Sequence, residues 1–126
     1  MVFRSHDGLD ELTTSGPSSV LRTGAAEITS FDLEPLEAGL PRSEPSDLTG
    51  GDVDTNVAVA GSVLASEPGP ARDVVLLNAA AALSVAGRAE SITEAVDVAA
   101  ESIDSLAAQR VLATWVDVSQ RAAEAH

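Results

Sequence analysis

The feature that most constrains this chain is a nearly apolar stretch in its second half, ARDVVLLNAAAALSVAGR at residues 71–88. It is apolar on nearly every helical face, which is typical of a helix buried in the centre of a domain. The run is too short to span a bilayer, and an asparagine lies within it. Whatever fold the chain adopts must therefore cover this helix on several sides.

One further helix is predicted before this stretch. Gly50-Gly51 precedes Asp52 and Asp54, either of which can cap a helix start, and EPGP at residues 67–70 ends the segment. Its apolar residues recur at helical spacing: Val53, Val57, Ala60 and Leu64.

Two more helices are predicted after the apolar stretch. SITE at residues 91–94 indicates a capping box between Ser91 and Glu94. The helix that follows has one apolar stripe, made of Ile92, Ala95, Val96, Ala99 and Ile103. A last helix is predicted from about Leu106 to Ala123. Four of its residues are assigned to its inner side: Val111, Leu112, Trp115 and Val118.

The first half of the chain is predicted to form strands and turns. MVFRS at residues 1–5 is a short strand candidate, and residues 18–33 suggest a hairpin that turns around Thr23-Gly24. Residues 34–51 are rich in proline, glycine and acid, and are predicted to be a connecting loop. We therefore divide the chain into a strand- and turn-rich part, residues 1–50, and a helical part, residues 51–126.

Strands followed by helices ordinarily indicate an α+β domain. The apolar helix favours a different interpretation, because two or three short strands offer it little cover. The predicted fold class is therefore α/β: a few strands followed by about four helices, forming the end of a larger domain. The core must be built from small side chains, since the chain has one Trp, two Phe and no Tyr.

The charge balance limits the partners that this chain can have. The net charge is −13, and all seven cationic residues are arginine. A negative surface is not attracted to nucleic acid or to an anionic membrane, so we expect neither as a partner. There is no cysteine for a disulfide or a thiolate site, and MVFRSHDG lacks the apolar stretch of a signal peptide. A cytoplasmic location is the default expectation.

An acidic segment near the start, SHDGLDELTTSGPSSV, carries the strongest candidate for chemistry. Asp10 and Glu11 are adjacent, and Asp7 lies just before them. Mg²⁺ prefers oxygen ligands and is often held by one or two carboxylates together with substrate phosphates. A turn at Gly8 would let both side chains face one pocket, whereas on a regular strand they would point to opposite faces. On spacing alone, a solvated turn is the preferred interpretation of the pair, because adjacent acids arise by chance in a chain with 20 of them.

Other polar residues are given structural roles. TSGPSS at residues 14–19 lacks the basic residue and following helix of a phosphate loop, and is predicted to be an ordinary turn. Asn78 lies in an apolar setting and is predicted to be a hydrogen-bonding residue of helix packing. Arg72 and Asp73 are expected to tie their helix to the acidic half of the chain. Of the two histidines, His6 has no expected nucleophile beside it, and His126 is the last residue.

Taken together, several segments resemble the C-terminal part of the anthranilate phosphoribosyltransferase family, and their order and spacing match over essentially the whole chain. These segments are DGLDEL at 7–12, GP at 16–17, LTGGDVDTNVAVAGSVL at 48–64, RDVVLLNAAAAL at 72–83 and AGRAESITEAVDVAAESIDS at 86–105. The combination is specific, although each segment alone would be weak.

The resemblance implies a function and a fold of the nucleoside phosphorylase and phosphoribosyltransferase type, with a mixed sheet. Members transfer the phosphoribosyl group of phosphoribosyl pyrophosphate to the amino group of anthranilate, with Mg²⁺, in tryptophan biosynthesis. The family is homodimeric, with a small helical domain and a larger α/β domain. Its Asp-Glu motif binds Mg²⁺ in the active site, and the matching positions here are Asp10 and Glu11. No catalytic residue is assigned to this chain.

The departures from the family pattern are substantial. The glycine-rich pyrophosphate loop, the Asn-Ser-Thr and Lys-His-Gly-Asn segments and the arginine for anthranilate are absent. Arg4-Ser5 stands where the family often has His-Gly, and Leu106 replaces a glycine, so we expect the last two helices to join less sharply. We expect a fragment, or a reading frame begun at an internal Met, that lacks the helical-domain dimer interface and is inactive alone.

Two alternatives remain at this point. One is a non-catalytic acidic interaction domain, and the other is a fragment of a related nucleoside phosphorylase. In-frame Gly-Thr-Gly-Gly-Asp and Lys-His-Gly-Asn sequences upstream of Met1 would favour the transferase over an independent interaction domain.

Overall fold

The first half of the chain forms a three-stranded antiparallel sheet. The structure is a computed structural model that describes residues 1–24 and 27–124. The strands are β1 (Val2–Ser5), β2 (Ser18–Thr23) and β3 (Ile28–Leu33), and β2 lies in the centre. Val20 pairs with Phe3 on one side and with Phe31 on the other. The predicted strand and hairpin are confirmed, although residues 25 and 26 of the hairpin turn lie outside the described residues.

The predicted connecting loop contains two short 3-10 helices, Pro35–Ala38 and Pro45–Leu48. A proline begins each one, which suits a first helical turn because proline fixes φ and needs no N–H partner there. In both, an acidic side chain accepts from the backbone N–H three residues earlier: Glu37 from Glu34 at 2.8 Å and Asp47 from Glu44 at 3.0 Å. These turns were missed because the proline and glycine content indicated only a loop.

Among the described residues, four α-helices complete the fold: α1 (Val53–Leu64), α2 (Pro70–Val85), α3 (Ile92–Asp104) and α4 (Ala107–Glu124). The predicted class, a few strands followed by about four helices, is confirmed. Asp52 rather than Asp54 caps α1, accepting from the Thr55 N–H at 2.9 Å. Within the described ranges, no helix is both long enough and apolar enough to cross a membrane.

The start of α3 differs in one detail from the predicted capping box. The Ser91 hydroxyl accepts from the Glu94 N–H at 3.1 Å, as expected. The Glu94 carboxylate, however, accepts from the N–H of Glu90 at 2.8 Å rather than from that of Ser91. The Glu94 side chain therefore holds Glu90, the residue before the Ser91 cap, at the entrance to the helix.

The core lies between α2, α3 and the inner side of the first half. On α2 the buried residues are Leu76, Leu77, Ala80 and Ala81, and on α3 they are Ala95, Val96, Ala99 and Ile103. Leu12, Val20 and Leu33 join the same cluster. Small side chains allow the two helices to pack closely, as the composition indicated.

The expectation that α2 is buried on nearly every side is wrong for the described chain. Only one face is buried, and Val75 and Val85 are exposed. The physical reason is that the described elements packed against α2, which are α3, α1 and the 3-10 helix Pro45–Leu48, leave Val75 and Ala82 uncovered.

Arg72 also has a different partner from the one predicted. Its guanidinium donates to Asp104 of α3 at 2.7 Å, so it ties α2 to α3 rather than to the acidic half of the chain. The pKa of Asp104 is lowered by a hydrogen bond from the Ser66 hydroxyl and by the Arg72 hydrogen bond. Burial raises the pKa of the neighbouring Asp73, and the positive charge of Arg72 opposes that rise.

Leu106 forms a sharp turn between α3 and α4, contrary to the expectation of a looser join. Its φ is +60°, in the left-handed region that favours glycine. The turn is kept because the Leu106 N–H bonds the Ile103 carbonyl at 2.8 Å and the Arg110 N–H bonds the Leu106 carbonyl at 3.1 Å. The leucine therefore carries a backbone strain that glycine would avoid.

The assignment of an inner side to α4 is wrong within the described residues. No residue of α4 is buried, and its apolar residues are exposed to solvent: Val111, Leu112, Trp115, Val116 and Val118. Among the described residues of this helix, only Ala107 and Ala108, at its start, are half-buried. Periodicity identified the apolar face correctly, but the described chain does not cover it.

We expect Trp115 to fluoresce as a solvent-exposed indole, because 71% of its surface is accessible. As the only tryptophan, it should show little change of emission wavelength when urea unfolds the chain. Trp115→Ala should change the free energy of unfolding by less than about 0.5 kcal/mol. The matched core variant Leu77→Ala should cost about 2–5 kcal/mol. Blue-shifted native emission, or a large cost for Trp115→Ala, would contradict this exposed position.

Candidate functional site

The acidic loop, residues 6–17, connects β1 to β2 at one end of the sheet. Its two ends are held together, because Ser5 pairs with Ser18 and the His6 N–H donates to the Pro17 carbonyl at 3.0 Å. Gly8 has a φ of +99°, which provides the predicted turn before the acidic pair. The loop is therefore a tethered turn rather than a strand, so Asp10 and Glu11 are not forced onto opposite faces of a sheet.

Asp7 organises the first part of this loop. One carboxylate oxygen accepts from the Ser5 hydroxyl and from the Leu9 N–H at 3.1 Å. The other accepts from the Ser15 hydroxyl at 2.6 Å. Burial tends to raise the pKa of Asp7, but hydrogen bonds from Ser15, Ser5, Thr13 and Leu9 outweigh it and hold that pKa far below its usual range.

Asp10 and Glu11 stand in a different environment. Both are exposed, and over residues 1–24 and 27–124 neither carboxylate has a hydrogen bond or ion pair. Their oxygens are therefore available to a cation, whereas those of Asp7 are occupied. The sequence pointed to this pair by adjacency alone, and the contrast with Asp7 becomes visible only in the folded loop.

Asn78 of α2 bonds the backbone of Leu12, the residue that follows Asp10 and Glu11. Its Oδ1 accepts from the Leu12 N–H at 3.0 Å, and its Nδ2 donates to the Leu12 carbonyl at 2.8 Å. Nδ2 also donates to the Val74 carbonyl of its own helix at 2.9 Å. The predicted structural role of Asn78 is confirmed, but its main partner is the loop and not another helix. An isolated amide in an apolar helix was the signal that such a partner had to exist.

The hydroxyl groups after the acidic pair bond within the protein. The Thr13 N–H donates to the Ser18 hydroxyl at 3.2 Å, and the Thr14 and Ser43 hydroxyls lie 2.7 Å apart. The Ser15 hydroxyl is directed to Asp7. This arrangement favours the ordinary turn predicted for residues 14–19 over an anion site.

His6 has a serine beside it, contrary to expectation. Its Nε2 lies 2.9 Å from the Ser19 hydroxyl and 3.5 Å from an Asp32 carboxylate oxygen. The same hydroxyl donates to Asp32 at 2.7 Å. The serine proton is thus directed to the aspartate, so the imidazole does not activate this hydroxyl as a nucleophile. His126 lies outside the described residues.

The donor set fits a magnesium ion that takes only part of its coordination from this chain. Among the described residues, no group of three or more histidine, aspartate or glutamate side chains is arranged to hold a metal. Asp10 and Glu11 offer two hard oxygen donors, and Mg²⁺ is typically bound by one or two carboxylates with waters and phosphates in the remaining positions.

The fold and this loop define the class of protein. The family model described as "Glycosyl transferase family, a/b domain" matches residues 1–109, and the chain belongs to this family. Within it, the anthranilate phosphoribosyltransferase of Rhodopseudomonas palustris (strain BisA53) is 50% identical over 121 residues, which cover 96% of this chain and 36% of that protein.

Solved structures give the same result. Anthranilate phosphoribosyltransferase from Thermus thermophilus superposes with a TM-score of 0.83 at 34% identity, over 92% of this chain and 34% of that one. The Saccharomyces cerevisiae enzyme, in complex with PRPP and Mg, superposes with a TM-score of 0.82 at 27% identity, over 91% of this chain and 33% of that one. The similarity to the anthranilate phosphoribosyltransferase family is confirmed, and the chain spans about a third of the length of these relatives.

We expect Asp7→Asn to reduce the acid sensitivity of the fold. Because the pKa of Asp7 is lower in the folded chain than its unfolded value of about 3.9, its stabilisation is complete above that value and is lost as the pH falls through and below it. Urea unfolding at pH 6 and pH 3 should show a larger loss of stability in the wild type than in the variant. Asp97→Asn, an exposed change on α3, should behave as the wild type. An equal loss in wild type and Asp7→Asn would refute this role.

Proposed function

We propose that this chain provides a magnesium-binding part of an anthranilate phosphoribosyltransferase, which transfers the phosphoribosyl group of phosphoribosyl pyrophosphate to anthranilate in tryptophan biosynthesis. Family membership and the relatives support the class of reaction. The observation that carries the role of this chain is the unpartnered carboxylate pair, Asp10 and Glu11, on a loop whose other carboxylate is fully bonded. Residues 1–126 would be part of the α/β domain, with strands and turns in 1–50 and helices in 51–126.

Asp10 and Glu11 are the residues proposed to hold Mg²⁺. Bound there, the ion would offset the negative charge of the pyrophosphate group. The two carboxylates suit this role because they are exposed and adjacent, and because the loop around them is fixed by Asp7 and Leu12. The net charge of −13 also raises the local concentration of cations around the chain.

In the proposed reaction the anthranilate nitrogen bonds to C1 of the ribose while the bond from C1 to the pyrophosphate oxygen breaks. The electron pair of that bond leaves with pyrophosphate, and the nitrogen loses a proton. The family's glycine-rich phosphate loop is absent from the sequence, so we propose that groups outside these residues hold both substrates. We also propose that the complete enzyme is a cytoplasmic homodimer.

Metal binding can be tested on the ¹⁵N-labelled chain with Mn²⁺ as a paramagnetic substitute for Mg²⁺. The amide signals of residues 9–12 should broaden first and recover when Mg²⁺ is added in excess. The double variant Asp10→Asn, Glu11→Gln should raise the apparent Mn²⁺ dissociation constant at least roughly tenfold, equivalent to about 1.4 kcal/mol. Asp54→Asn, at an exposed carboxylate in α1, is the control and should leave it unchanged. Broadening that is uniform over the acidic surface, or that survives the double change, would argue against this site.

We predict that the 126-residue chain alone does not consume anthranilate in the presence of phosphoribosyl pyrophosphate and Mg²⁺. The reason is that two carboxylates do not position two substrates. Anthranilate fluorescence measures the reaction, with the double variant Asp10→Asn, Glu11→Gln purified in parallel as a control for host enzyme. Turnover by the wild type that the double variant lacks would show that the chain holds both substrates itself.

A further inference from the structure

The pairing between Asn78 and Leu12 joins the acidic loop to the core of the helices. The side-chain amide uses both of its ends on one residue, accepting from the Leu12 N–H and donating to the Leu12 carbonyl. The two hydrogen bonds together fix the position and the orientation of the backbone at Leu12. Leu12 is itself buried, with 1% of its surface exposed.

Two features hold the Asn78 side chain in place: a hydrogen bond within α2 and the burial of the neighbouring leucines. Its Nδ2 also bonds the Val74 carbonyl one turn earlier in α2, which selects one side-chain orientation. The two residues before it, Leu76 and Leu77, are buried in the helix core. The position of α2 in the core therefore determines, through Asn78, the position of the Leu12 backbone.

The acidic pair lies between two fixed points. Asp7 holds the loop on one side through Ser5, Ser15 and the Leu9 N–H. Asn78 holds it on the other side at Leu12, the residue bonded to Glu11. Only Asp10 and Glu11 stand between the anchored N–H of Leu9 and the anchored N–H of Leu12, and both carboxylates are left open.

We propose that Asn78 is a positioning residue of the cation site: it places the backbone that presents Asp10 and Glu11, without contacting the ion. This inference rests on the proposed role of the two carboxylates in holding Mg²⁺. Residues that orient metal ligands typically change metal affinity by about 10- to 100-fold when removed. We therefore expect loss of Asn78 to weaken cation binding although no ligand is changed.

The chain offers a matched control in Asn56. This residue makes the same paired contact with a backbone, accepting from the Gly51 N–H at 3.0 Å and donating to the Gly51 carbonyl at 3.1 Å. It lies at the start of α1 and has no bond to the acidic loop. Asn56→Ala removes a pair of hydrogen bonds of the same kind at the exposed start of α1, away from the acidic loop.

The experiment compares Asn78→Ala, Asn78→Asp and Asn56→Ala with the wild type, by amide hydrogen exchange and by Mn²⁺ titration of the ¹⁵N-labelled chains. In Asn78→Ala we expect the Leu12 N–H to exchange at least about tenfold faster, while the Leu77 N–H in α2 keeps its protection. The Mn²⁺ dissociation constant should rise about tenfold. Asn56→Ala should leave both values as in the wild type.

Asn78→Asp distinguishes the effect of the lost hydrogen bond on Mn²⁺ affinity from the effect of charge. It also tests the proposal if Asn78→Ala does not fold. It keeps the shape of the side chain and an acceptor for the Leu12 N–H, but loses the donor to the Leu12 carbonyl. Added negative charge alone would strengthen cation binding, so weaker Mn²⁺ binding by this variant supports positioning.

The outcomes distinguish this inference from the proposed function. If the wild type shows no Mn²⁺ effect localised at residues 9–12, the metal site fails and the positioning role fails with it. If the wild type binds at the loop and both Asn78 variants bind at least as tightly, only the positioning role is overturned. Equal loss of protection at Leu12 and Leu77 in the variants would show that Asn78 acts on the whole fold, and would likewise overturn it.

Discussion

The packing of α2 against α3 is the constraint on which the rest of the structure depends. Leu76, Leu77 and Ala80 are buried on one side of α2, and small residues of α3 meet them closely. Burying such side chains supplies the main stabilising free energy of a small core. The same helix carries Arg72, which bonds α3, and Asn78, which bonds the acidic loop. One rigid helix thus connects the hydrophobic core to the region of proposed chemistry.

The acidic loop shows how environment assigns different roles to one kind of side chain. Asp7, Asp10 and Glu11 lie within five residues and are all carboxylates. Asp7 accepts hydrogen bonds from two hydroxyls and a backbone N–H, so its oxygens are occupied and its charge is stabilised. The other two accept none from the described chain. The bonded carboxylate shapes the loop, and the other two remain exposed to solvent.

The sequence predicted correctly those features that depend on residues close together in the chain. The Ser91 cap of α3 and the hairpin of β2 and β3 follow from local geometry and were found as expected. The cap of α1 was found at Asp52, one of its two candidates. Predictions that needed a distant partner fared worse. Arg72 bonds α3 instead of the first half, and the apolar face at Trp115 is exposed in the described chain. Periodicity shows which face is apolar, but it contains no information on which element lies opposite.

The candidate site was only partly accessible from sequence for the same reason. Adjacency and family resemblance identified Asp10 and Glu11, but 66 residues separate Leu12 from its partner Asn78. Every anchor of the loop described above, whether from β1, from the loop itself or from α2, nevertheless belongs to this chain. The hydrogen bonds that hold the loop are therefore all made within about a third of the length of the relatives. In contrast, the described residues contain no group of three or more histidine, aspartate or glutamate side chains arranged to hold a metal. In the proposed magnesium site, this chain would thus present two carboxylates, and groups outside the described residues would complete the coordination.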